Sequence, residues 1–349
     1  MIKKKIGLFL GGKSSEKEIS LESARHVYNN LDEEKYEKIL LFVDSSNAFW
    51  QINEPLLWMN TTKDIESNLK LDGRRVFYEE LKQLVDYVFL AVHGKFAEDA
   101  MPGLLEILDI PNNSAGVLGG AISMDKDKQR FLLKAVGLNV PKYIAVKIDD
   151  WEIKNHKHEI SNKIQKEIGF PCIVKPAREG SSTALAMPKN EVELNMAIDN
   201  ALNFDNVVLV EEVLAGKEVT TAVIGVDRPY ALLPTETPAK GDFLTAKEKF
   251  LPGDARMITP PNLSDDIVRL IQKSCVLAYK TLGLKVFSRI DGFWTGKKFV
   301  ILEPNNPPAM TPSTALWHQV AETGMTAKDF LTLIIEISSK AHMNKRGPL

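Results

Sequence analysis

VILEPNNPPAMT, residues 300–311, is the stretch from which the rest of the chain is best interpreted. It begins with a short apolar run that is typical of a buried strand. Glu303 and Asn305 follow two residues apart, so their side chains would point to the same face of that strand. A carboxylate and an amide oxygen side by side suit a hard cation such as Mg²⁺. Prolines come next, and they end the strand.

A second short run, SRIDGF (residues 288–293), lies just upstream and places Arg289 and Asp291 on one face. A glycine and two lysines separate the two runs, which predicts a β-hairpin. Pairing would bring the acidic, amide and guanidinium groups together as a floor for phosphate, metal and a developing oxyanion. The alternative is an ordinary solvated surface on which an arginine pairs with strand-end acids.

The composition is that of a globular protein with two or three domains. The chain has 349 residues, 44% of them hydrophobic and 26% charged, with a net charge of −2. The mixed charge predicts no nucleic-acid partner, and no stretch approaches the roughly 20 apolar residues of a membrane span. The basic residues at 3–5 precede too short an apolar segment for a signal peptide. Cys172 and Cys275 are expected to be buried free thiols, so we predict a cytoplasmic protein.

Strands and helices alternate in the first third of the chain, which predicts an α/β domain ending near residue 115. A strand at 5–10 is followed by a Gly-Gly turn and a helix, an arrangement that can face an anion. A buried strand at 85–92 leads to His93 and then Glu98. A histidine at the carboxyl end of a parallel strand lies where open α/β sheets bind ligands, although a hydrogen-bonded structural histidine is the alternative.

The middle of the chain carries two lysines in contexts that suit phosphate. We predict one amphipathic helix over 118–136, with Lys126 on it. A strand then delivers Lys175 to the Gly-Ser-Ser loop of KPAREGSSTALA, residues 175–186. Such a loop can present N–H groups and hydroxyls to phosphates, but it lacks the Walker A order. A flexible surface loop is the alternative.

Two acids and a polar segment follow. Glu211 ends a strand at 207–212 and could accept a hydrogen bond from an adenine amino group, while Glu218 could meet ribose hydroxyls. Taken singly, each could equally be an ordinary strand-end carboxylate. The lysine-containing, Gly- and Pro-punctuated segment 237–254 is predicted to be a mobile lid.

Together these motifs resemble the D-alanine–D-alanine ligases of the ATP-grasp superfamily, over nearly the whole chain and in the family's order. The resemblance rests on LGGKSSEKEIS (10–20), HGKFAED (93–99), SMDKDKQR (123–130), VKPAREGSS (174–182), VVLVEEVLAGKEVT (207–220), SRID (288–291) and LEPNNPPAMTPS (302–313). It implies an ATP-grasp fold of three α/β domains, at 1–115, 116–209 and 210–343, with nucleotide between the second and third. It also implies a homodimer.

The resemblance implies roles for residues of the amino-acid site. Glu16 corresponds to the acid that holds the ammonium of the first D-alanine, and His93 and Glu98 are its neighbours. Ser181 lies in the loop that closes over the phosphates and is linked to Glu16. Arg289 corresponds to the arginine that stabilises the oxyanion.

The resemblance also implies a nucleotide site. Lys126 and Lys175 would contact phosphates, Glu211 the adenine, Glu218 the ribose, and Lys249 the γ-phosphate from the lid. The implied ligands of two Mg²⁺ ions, with Mn²⁺ as an alternative, are Asp291, Glu303 and Asn305. In this chemistry, ATP converts a D-alanine carboxylate into an acyl phosphate, which the amine of the second substrate attacks. The dipeptide would serve peptidoglycan precursor synthesis.

The chain departs from the family pattern mainly on the side of the second substrate. Phe250 replaces a lid tyrosine, a change that accompanies ligases making D-alanyl–D-lactate. Ala309 replaces a glycine beside the oxyanion, and Ala184 replaces the glycine that follows the Ser-Ser pair. Thr314 and Ala315 stand in place of a Ser-Leu pair that holds the acceptor carboxylate.

Three hypotheses follow from this pattern. The chain could be a D-alanine–D-alanine ligase whose site has drifted. It could instead be a D-alanyl ligase that uses another acceptor, such as D-lactate, D-serine or another amine. A third possibility is a nucleotide-binding homologue that has lost ligation, but the presence of an oxyanion arginine and three metal ligands argues against it.

Overall fold

The structure is a computed structural model that describes residues 2–153, 156–238 and 257–344, in which three β-sheets carry helices on their faces. The strands are β1 (Lys4–Gly11), β2 (Tyr36–Val43), β3 (Phe49–Ile52), β4 (Gly73–Val76), β5 (Tyr87–Leu90), β6 (Tyr143–Lys147), β7 (Cys172–Pro176), β8 (Val207–Glu212), β9 (Lys217–Ile224), β10 (Tyr230–Ala231), β11 (Thr235–Glu236), β12 (Phe287–Trp294) and β13 (Phe299–Asn305). The helices are α1 (Lys17–Asn30), α2 (Glu54–Leu57), α3 (Thr62–Asp72), α4 (Leu81–Leu84), α5 (Ala100–Ile107), α6 (Gly116–Met124), α7 (Lys126–Ala135), α8 (Ile148–Trp151), α9 (His156–Glu167), α10 (Glu191–Ala201), α11 (Asp265–Thr281), α12 (Ala315–Ala321) and α13 (Ala327–Met343), and a short 3₁₀ helix, Tyr78–Glu80, precedes α4.

The first sheet has the strand order β4-β3-β2-β1-β5, with β1 parallel to both of its neighbours. Strand β1 is apolar and buried from Ile6 onward because both faces of a central parallel strand are covered. Gly11 ends it at φ +88°, and a Cβ there would lie 2.6 Å from the Val43 carbonyl oxygen. The turn therefore requires glycine, and it leads directly to Glu16 at the start of α1.

The second sheet is antiparallel and has the order β6-β8-β7. All of β8, Val207–Glu212, pairs within it, so Glu211 and Lys175 come from neighbouring strands of one sheet. Helices α9 and α10 pack over one of its faces around a core that includes Trp151 and Ile198. The side chains that point away from this core are left facing the third sheet.

The prediction of a single helix over 118–136 is wrong, because the chain forms α6 and α7 with a break at Asp125. The Asp125 carboxylate accepts hydrogen bonds from the N–H groups of Asp127 and Lys128, both at 3.1 Å. An aspartate that satisfies the free N–H groups of a first turn starts a new helix at that point. Lys126 is consequently the first residue of α7, beside the helix N-terminus.

The third sheet has the order β10-β9-β12-β13, and β11 also pairs with β9. The hairpin predicted from residues 288–311 is confirmed as β12 and β13. Its register places Arg289 opposite Asn305 and Asp291 opposite Glu303. An irregularity follows, where Gly292 pairs with residue 301. A Cβ at Gly292 would lie 2.6 Å from the Val300 carbonyl oxygen, so a glycine allows the close approach.

Two further expectations can be compared with the structure. Cys172 and Cys275 are buried and form no disulfide, as predicted. Within the described ranges, no helix combines the length and the apolar character needed to cross a membrane.

Candidate active site

The β12–β13 hairpin gathers the predicted floor around the carboxylate of Asp291. Arg289 donates to both Asp291 oxygens, from Nε and from a terminal nitrogen, at 2.8 Å each. Asn305 donates to the same carboxylate at 3.1 Å, and the Thr220 hydroxyl of β9 also contacts it. Burial alone would lower the pKa of Arg289, but the Asp291 charge outweighs it and raises that pKa. The guanidinium is therefore a fixed positive charge in the floor.

Lys126 reaches this floor from α7. Its ammonium lies 3.2 Å from an oxygen of Glu303 and donates to the Glu179 carbonyl at 2.6 Å. The Lys126 side chain is only 8% exposed. A buried ammonium beside a strand-end carboxylate suits a bound phosphate, whose charge it would neutralise.

The oxygen donors of the floor suit a Mg²⁺ ion that also binds substrate phosphates. They suit less well a metal ion whose ligands all come from the protein. Asp291 and Glu303 supply two carboxylates and Asn305 an amide oxygen. In the part of the chain that the structure describes, no group of three or more His, Cys, Asp or Glu side chains could hold a metal ion. Mg²⁺ commonly uses one or two carboxylates together with substrate phosphates, so these residues fit a metal that arrives with a nucleotide.

Glu211, on strand β8 of the second sheet, lies between two cations. Its carboxylate is 3.1 Å from the Lys175 ammonium and 3.0 Å from the Arg130 guanidinium. Burial favours the protonated acid, but the charges of Arg130 and Lys175 outweigh it and lower the pKa of Glu211. Burial lowers the pKa of Lys175. Glu211 is therefore an ionised acceptor with a fixed orientation.

Arg130 is a residue of this site that the sequence interpretation missed. It is fully buried on α7, and its guanidinium lies 5.0 Å from the ring centre of Tyr143. A signal was present, because Lys126 and Arg130 are four residues apart and therefore share one face of a helix. The spacing therefore indicates Arg130 as well as Lys126.

The cleft between the second and third sheets encloses about 890 Å³, including its open mouth. Lys126, Lys175, Glu211, Glu218 and Glu303 line it, together with the loop 179–183 and apolar side chains from three strands. The apolar walls suit a base, and the loop and lysines suit phosphates. The predicted nucleotide residues that fall within the described ranges are thus brought together in one cleft.

The phosphate-loop candidate contacts the start of α1 through Glu16. The Ser181 hydroxyl donates to the Glu16 carboxylate. A Cβ built on Gly94 or on Gly180 would lie 2.8 Å from a Glu16 oxygen, so the carboxylate lies between two glycines. Burial raises the pKa of Glu16. The predicted link between Glu16 and Ser181 is present in the structure.

Glu98 and His93 complete this part of the site. Gly94 donates its N–H to Glu98 at 3.0 Å, and burial, with the nearby Glu16, raises the pKa of Glu98 to about 8. Burial lowers the pKa of His93 to about 4, so the ring is neutral near pH 7. The Nε2 atom of His93 lies 3.0 Å from the Ser23 hydroxyl, which also accepts from the Met310 N–H. His93 therefore joins the end of β5 to α1 and to the segment after β13.

A second, smaller cleft of about 390 Å³ includes Arg289 and Asp291 of the floor in its lining. Arg289, Thr314, Ala315 and Met257 line it, and Glu218 lines both clefts. The Thr314 hydroxyl donates to the Thr311 carbonyl at 3.1 Å. The predicted acceptor residue Thr314 therefore shares a cleft with the predicted oxyanion arginine.

Two predicted site residues lie outside the described residues. Lys249 and Phe250 fall within 239–256, which also contains most of the predicted lid. Their predicted roles stay predictions.

Comparisons with known proteins agree with this geometry. Residues 5–115 match the family model described as the D-ala D-ala ligase N-terminus, and residues 132–336 match the D-ala D-ala ligase C-terminus. A D-alanine–D-alanine ligase of Oceanobacillus iheyensis is 33% identical, over 97% of this chain and 95% of that protein. The corresponding protein of Shouchella clausii is 32% identical, over 98% of this chain and 96% of its own length.

Solved structures are similar over the same length. The D-alanine–D-alanine ligase of Coxiella burnetii superposes with a TM-score of 0.82 at 26% identity, covering 98% of this chain and 95% of that one. The VanG D-Ala:D-Ser ligase of Enterococcus faecalis gives 0.83 at 27% identity, covering 97% and 100%. The class of protein is therefore an ATP-grasp ligase, as the sequence predicted. The chain belongs to the D-alanine–D-alanine ligase family.

Proposed function

We propose that this chain is an ATP-dependent ligase that joins two D-alanines through a D-alanyl phosphate, for peptidoglycan precursor synthesis. The observation that carries the proposal is that the paired strands β12 and β13 line two clefts, with Glu303 in one and its cross-strand partner Asp291, together with Arg289, in the other. One cleft is lined by Lys126, Lys175 and Glu211, and the other by Thr314. A phosphoryl donor on one side and an acceptor on the other would meet at the same floor.

Each part of the site has a task in this reaction. Glu211 accepts from the adenine amino group, Glu218 meets the ribose, and Lys126 and Lys175 neutralise phosphate charge. The ammonium of the first D-alanine is held near Glu16, beside His93 and Glu98, and Ser181 closes the loop over the phosphates. Arg289 stabilises the oxyanion that forms when the second amine attacks.

A divalent metal fits the oxygen donors of the floor, and we propose two Mg²⁺ ions there, with Mn²⁺ as an alternative. Asp291, Glu303 and Asn305 would hold them. The metal supplies charge neutralisation to the transferring phosphoryl group. The Arg289–Asp291 ion pair holds the Asp291 carboxylate in one orientation within the floor.

A second candidate function keeps the same donor but changes the acceptor to D-serine, D-lactate or another amine. Thr314 and Ala315 line the second cleft, and each is a departure from the family pattern. The small Ala315 side chain leaves room where the family has leucine. One solved structure with a similar fold is described as a D-Ala:D-Ser ligase.

The decisive experiment measures phosphate release from Mg·ATP with D-alanine alone, and then with D-serine or D-lactate added, with products identified by mass. D-alanyl–D-alanine as the main product supports the first function, and a mixed product supports the second. Absence of turnover that depends on D-alanine would contradict both. Phe250→Tyr tests the lid directly, since we expect it to favour D-alanine as acceptor.

The domain division and the homodimer also remain proposals. Pairing of β8 along its whole length suggests placing the second boundary after Glu212, because the boundary proposed at 209/210 falls within that strand. The homodimer rests on the family resemblance, and light scattering during size-exclusion chromatography tests it.

A further inference from the structure

Lys95 connects two loops of the site and has no role among the residues assigned above. It follows His93 and Gly94 in the segment after β5. Its ammonium lies 2.6 Å from a carboxylate oxygen of Glu179 and donates to the Phe204 carbonyl at 2.8 Å. The loop of the amino-acid site is therefore tied to the second sheet's phosphate loop by one side chain.

Glu179 also contacts, or lies next to, the groups that would bind phosphate. Its main-chain carbonyl accepts from the Lys126 ammonium at 2.6 Å. Gly180 and Ser181 come next, and they contact Glu16. A displacement of Glu179 would therefore move the acceptor of Lys126 and the Ser181 hydroxyl together.

The loop is already anchored at the preceding residue. Arg178 donates its main-chain N–H to Asp205 at 2.7 Å, and its guanidinium pairs with the same carboxylate at 2.6 Å. This anchor holds the loop to its own sheet, whereas the Lys95 pair crosses to the loop that carries Glu98. The Arg178–Asp205 contact and the Lys95–Glu179 pair therefore join different parts of the structure. A substitution that breaks the Lys95–Glu179 pair leaves the Arg178–Asp205 contact in place.

The Lys95–Glu179 pair is more enclosed than an ordinary surface ion pair. The side chains are 28% and 14% exposed, whereas those of the Lys82–Asp109 pair are 54% and 49% exposed. Reduced exposure limits screening by water, and a charge-assisted hydrogen bond is stronger than a neutral one. Lys82 and Asp109 therefore offer a matched pair on the surface for comparison.

We propose that Lys95 is a positioning residue, which locks the phosphate loop onto the amino-acid loop and places Lys126 and Ser181. This inference rests on the proposed function. A locked loop keeps water from the acyl phosphate. If water enters, its oxygen adds to the carbonyl carbon, the bond from carbon to the phosphate oxygen breaks, and D-alanine and phosphate leave with a proton released to solvent. ATP is then consumed without a dipeptide.

The test compares Lys95→Met, Lys95→Arg and the surface control Lys82→Met in the full-length chain. We expect Lys95→Met to raise KM for ATP roughly tenfold, as for loss of a hydrogen bond between charged groups. The ratio of phosphate released to dipeptide formed should rise above one. Lys95→Arg should restore most of both values, and Lys82→Met should match the parent protein.

A double variant separates this pair from a general loss of structure. Glu179→Gln removes the partner charge but keeps the main-chain carbonyl. If the pair acts as one unit, Lys95→Met with Glu179→Gln should be no worse than either single variant. Additive losses, or a ratio that stays at one in Lys95→Met, would overturn the proposal.

One measurement is independent of ligation. Hydrogen exchange of the segment 178–184 is compared with and without Mg·ATP, in the absence of D-alanine. We expect faster exchange in Lys95→Met than in Lys82→Met under both conditions. Equal rates overturn the lock, even if the chain proves to have another acceptor or no ligase activity at all. Failure of the proposed function is seen instead as absent turnover in the parent protein.

Discussion

At the scale of single residues, Ala184 is under backbone strain that the usual glycine would avoid. Its φ is +51°, in the left-handed region that L-residues other than glycine enter at a cost of about 1–2 kcal/mol. Ala309, the other alanine that replaces a family glycine, is not among the residues with positive φ. The two replacements therefore have different consequences.

We predict that Ala184→Gly stabilises the protein by about 1 kcal/mol and lowers KM for ATP, because the loop then adopts its conformation without strain. Urea unfolding and initial-rate kinetics measure the two effects. Ala186→Gly is the control, since Ala186 makes two hydrogen bonds with Val174 in extended pairing. There, glycine should destabilise. Equal effects of the two substitutions would contradict the prediction.

A second prediction at this scale concerns Glu98. Its pKa is about 8 in the folded chain and near 4.5 in an exposed glutamate. Between these values the folded state binds the extra proton and the unfolded state does not, so stability falls as pH rises. The slope for this group approaches about −1.4 kcal/mol per pH unit.

Glu98→Gln should flatten that slope, because the amide does not titrate. Urea unfolding at several pH values between 5 and 8 gives the comparison, and the readout is the slope and not the absolute stability. Glu106→Gln on α5 is a control substitution at a glutamate outside the pair formed by Glu16 and Glu98. A parent protein whose stability stays level over this range, or a variant with the parent's slope, would exclude the raised pKa.

At the scale of elements, α7 and β8 are joined by the buried Arg130–Glu211 pair. Arg130→Met would leave Glu211 with one cation, and breaking a buried pair costs about 3–5 kcal/mol. We expect a loss of that size in urea unfolding and a weaker preference for ATP over GTP, because the orientation of Glu211 is less fixed. Arg130→Lys keeps the charge and should lose less. If Arg130→Met lowers the free energy of unfolding by less than about 1 kcal/mol, the Arg130–Glu211 pair does not stabilise the contact between α7 and β8.

The hairpin could be predicted from the sequence because its information is local. Arg289 and Asp291 are two residues apart, as are Glu303 and Asn305, and the period of a strand puts each pair on one face. The short connection then fixes which faces meet. The observed register joins Asp291 to Glu303, so local rules were sufficient there.

Other parts of the site depend on contacts between residues that are far apart in the sequence, and such contacts could not be predicted from the sequence. Lys95 and Arg130 are ordinary basic residues until the fold brings Glu179 and Glu211 to them. The break at Asp125 was missed because its neighbours continue the helical pattern, and only the observed side-chain bonds show the new start. The four-residue spacing from Lys126 does place Arg130 on the same helix face, but only the fold shows which acid pairs with each buried cation.

At the scale of the whole molecule, one asparagine joins the first and third sheets. The Asn306 side chain is fully buried, accepts from the Ala115 N–H at 2.7 Å and donates to the Phe287 carbonyl at 2.6 Å. Ala115 follows the elements of the first sheet, and Phe287 begins β12. The two parts that form the proposed amino-acid site are therefore held together by a buried polar contact.

We predict that Asn306→Ala costs about 3 kcal/mol, since it leaves a main-chain donor and a main-chain acceptor buried without their partner. The loss should also divide the unfolding transition, with hydrogen-exchange protection falling in β1 and β12 by different amounts. The control is Asn190→Ala, which removes the cap of a helix on the second sheet and should cost about 1 kcal/mol with a single transition. If Asn306→Ala costs no more than this control and both strands keep equal protection, the first and third sheets are coupled by their apolar contacts, and the asparagine only fixes the path of the chain between them.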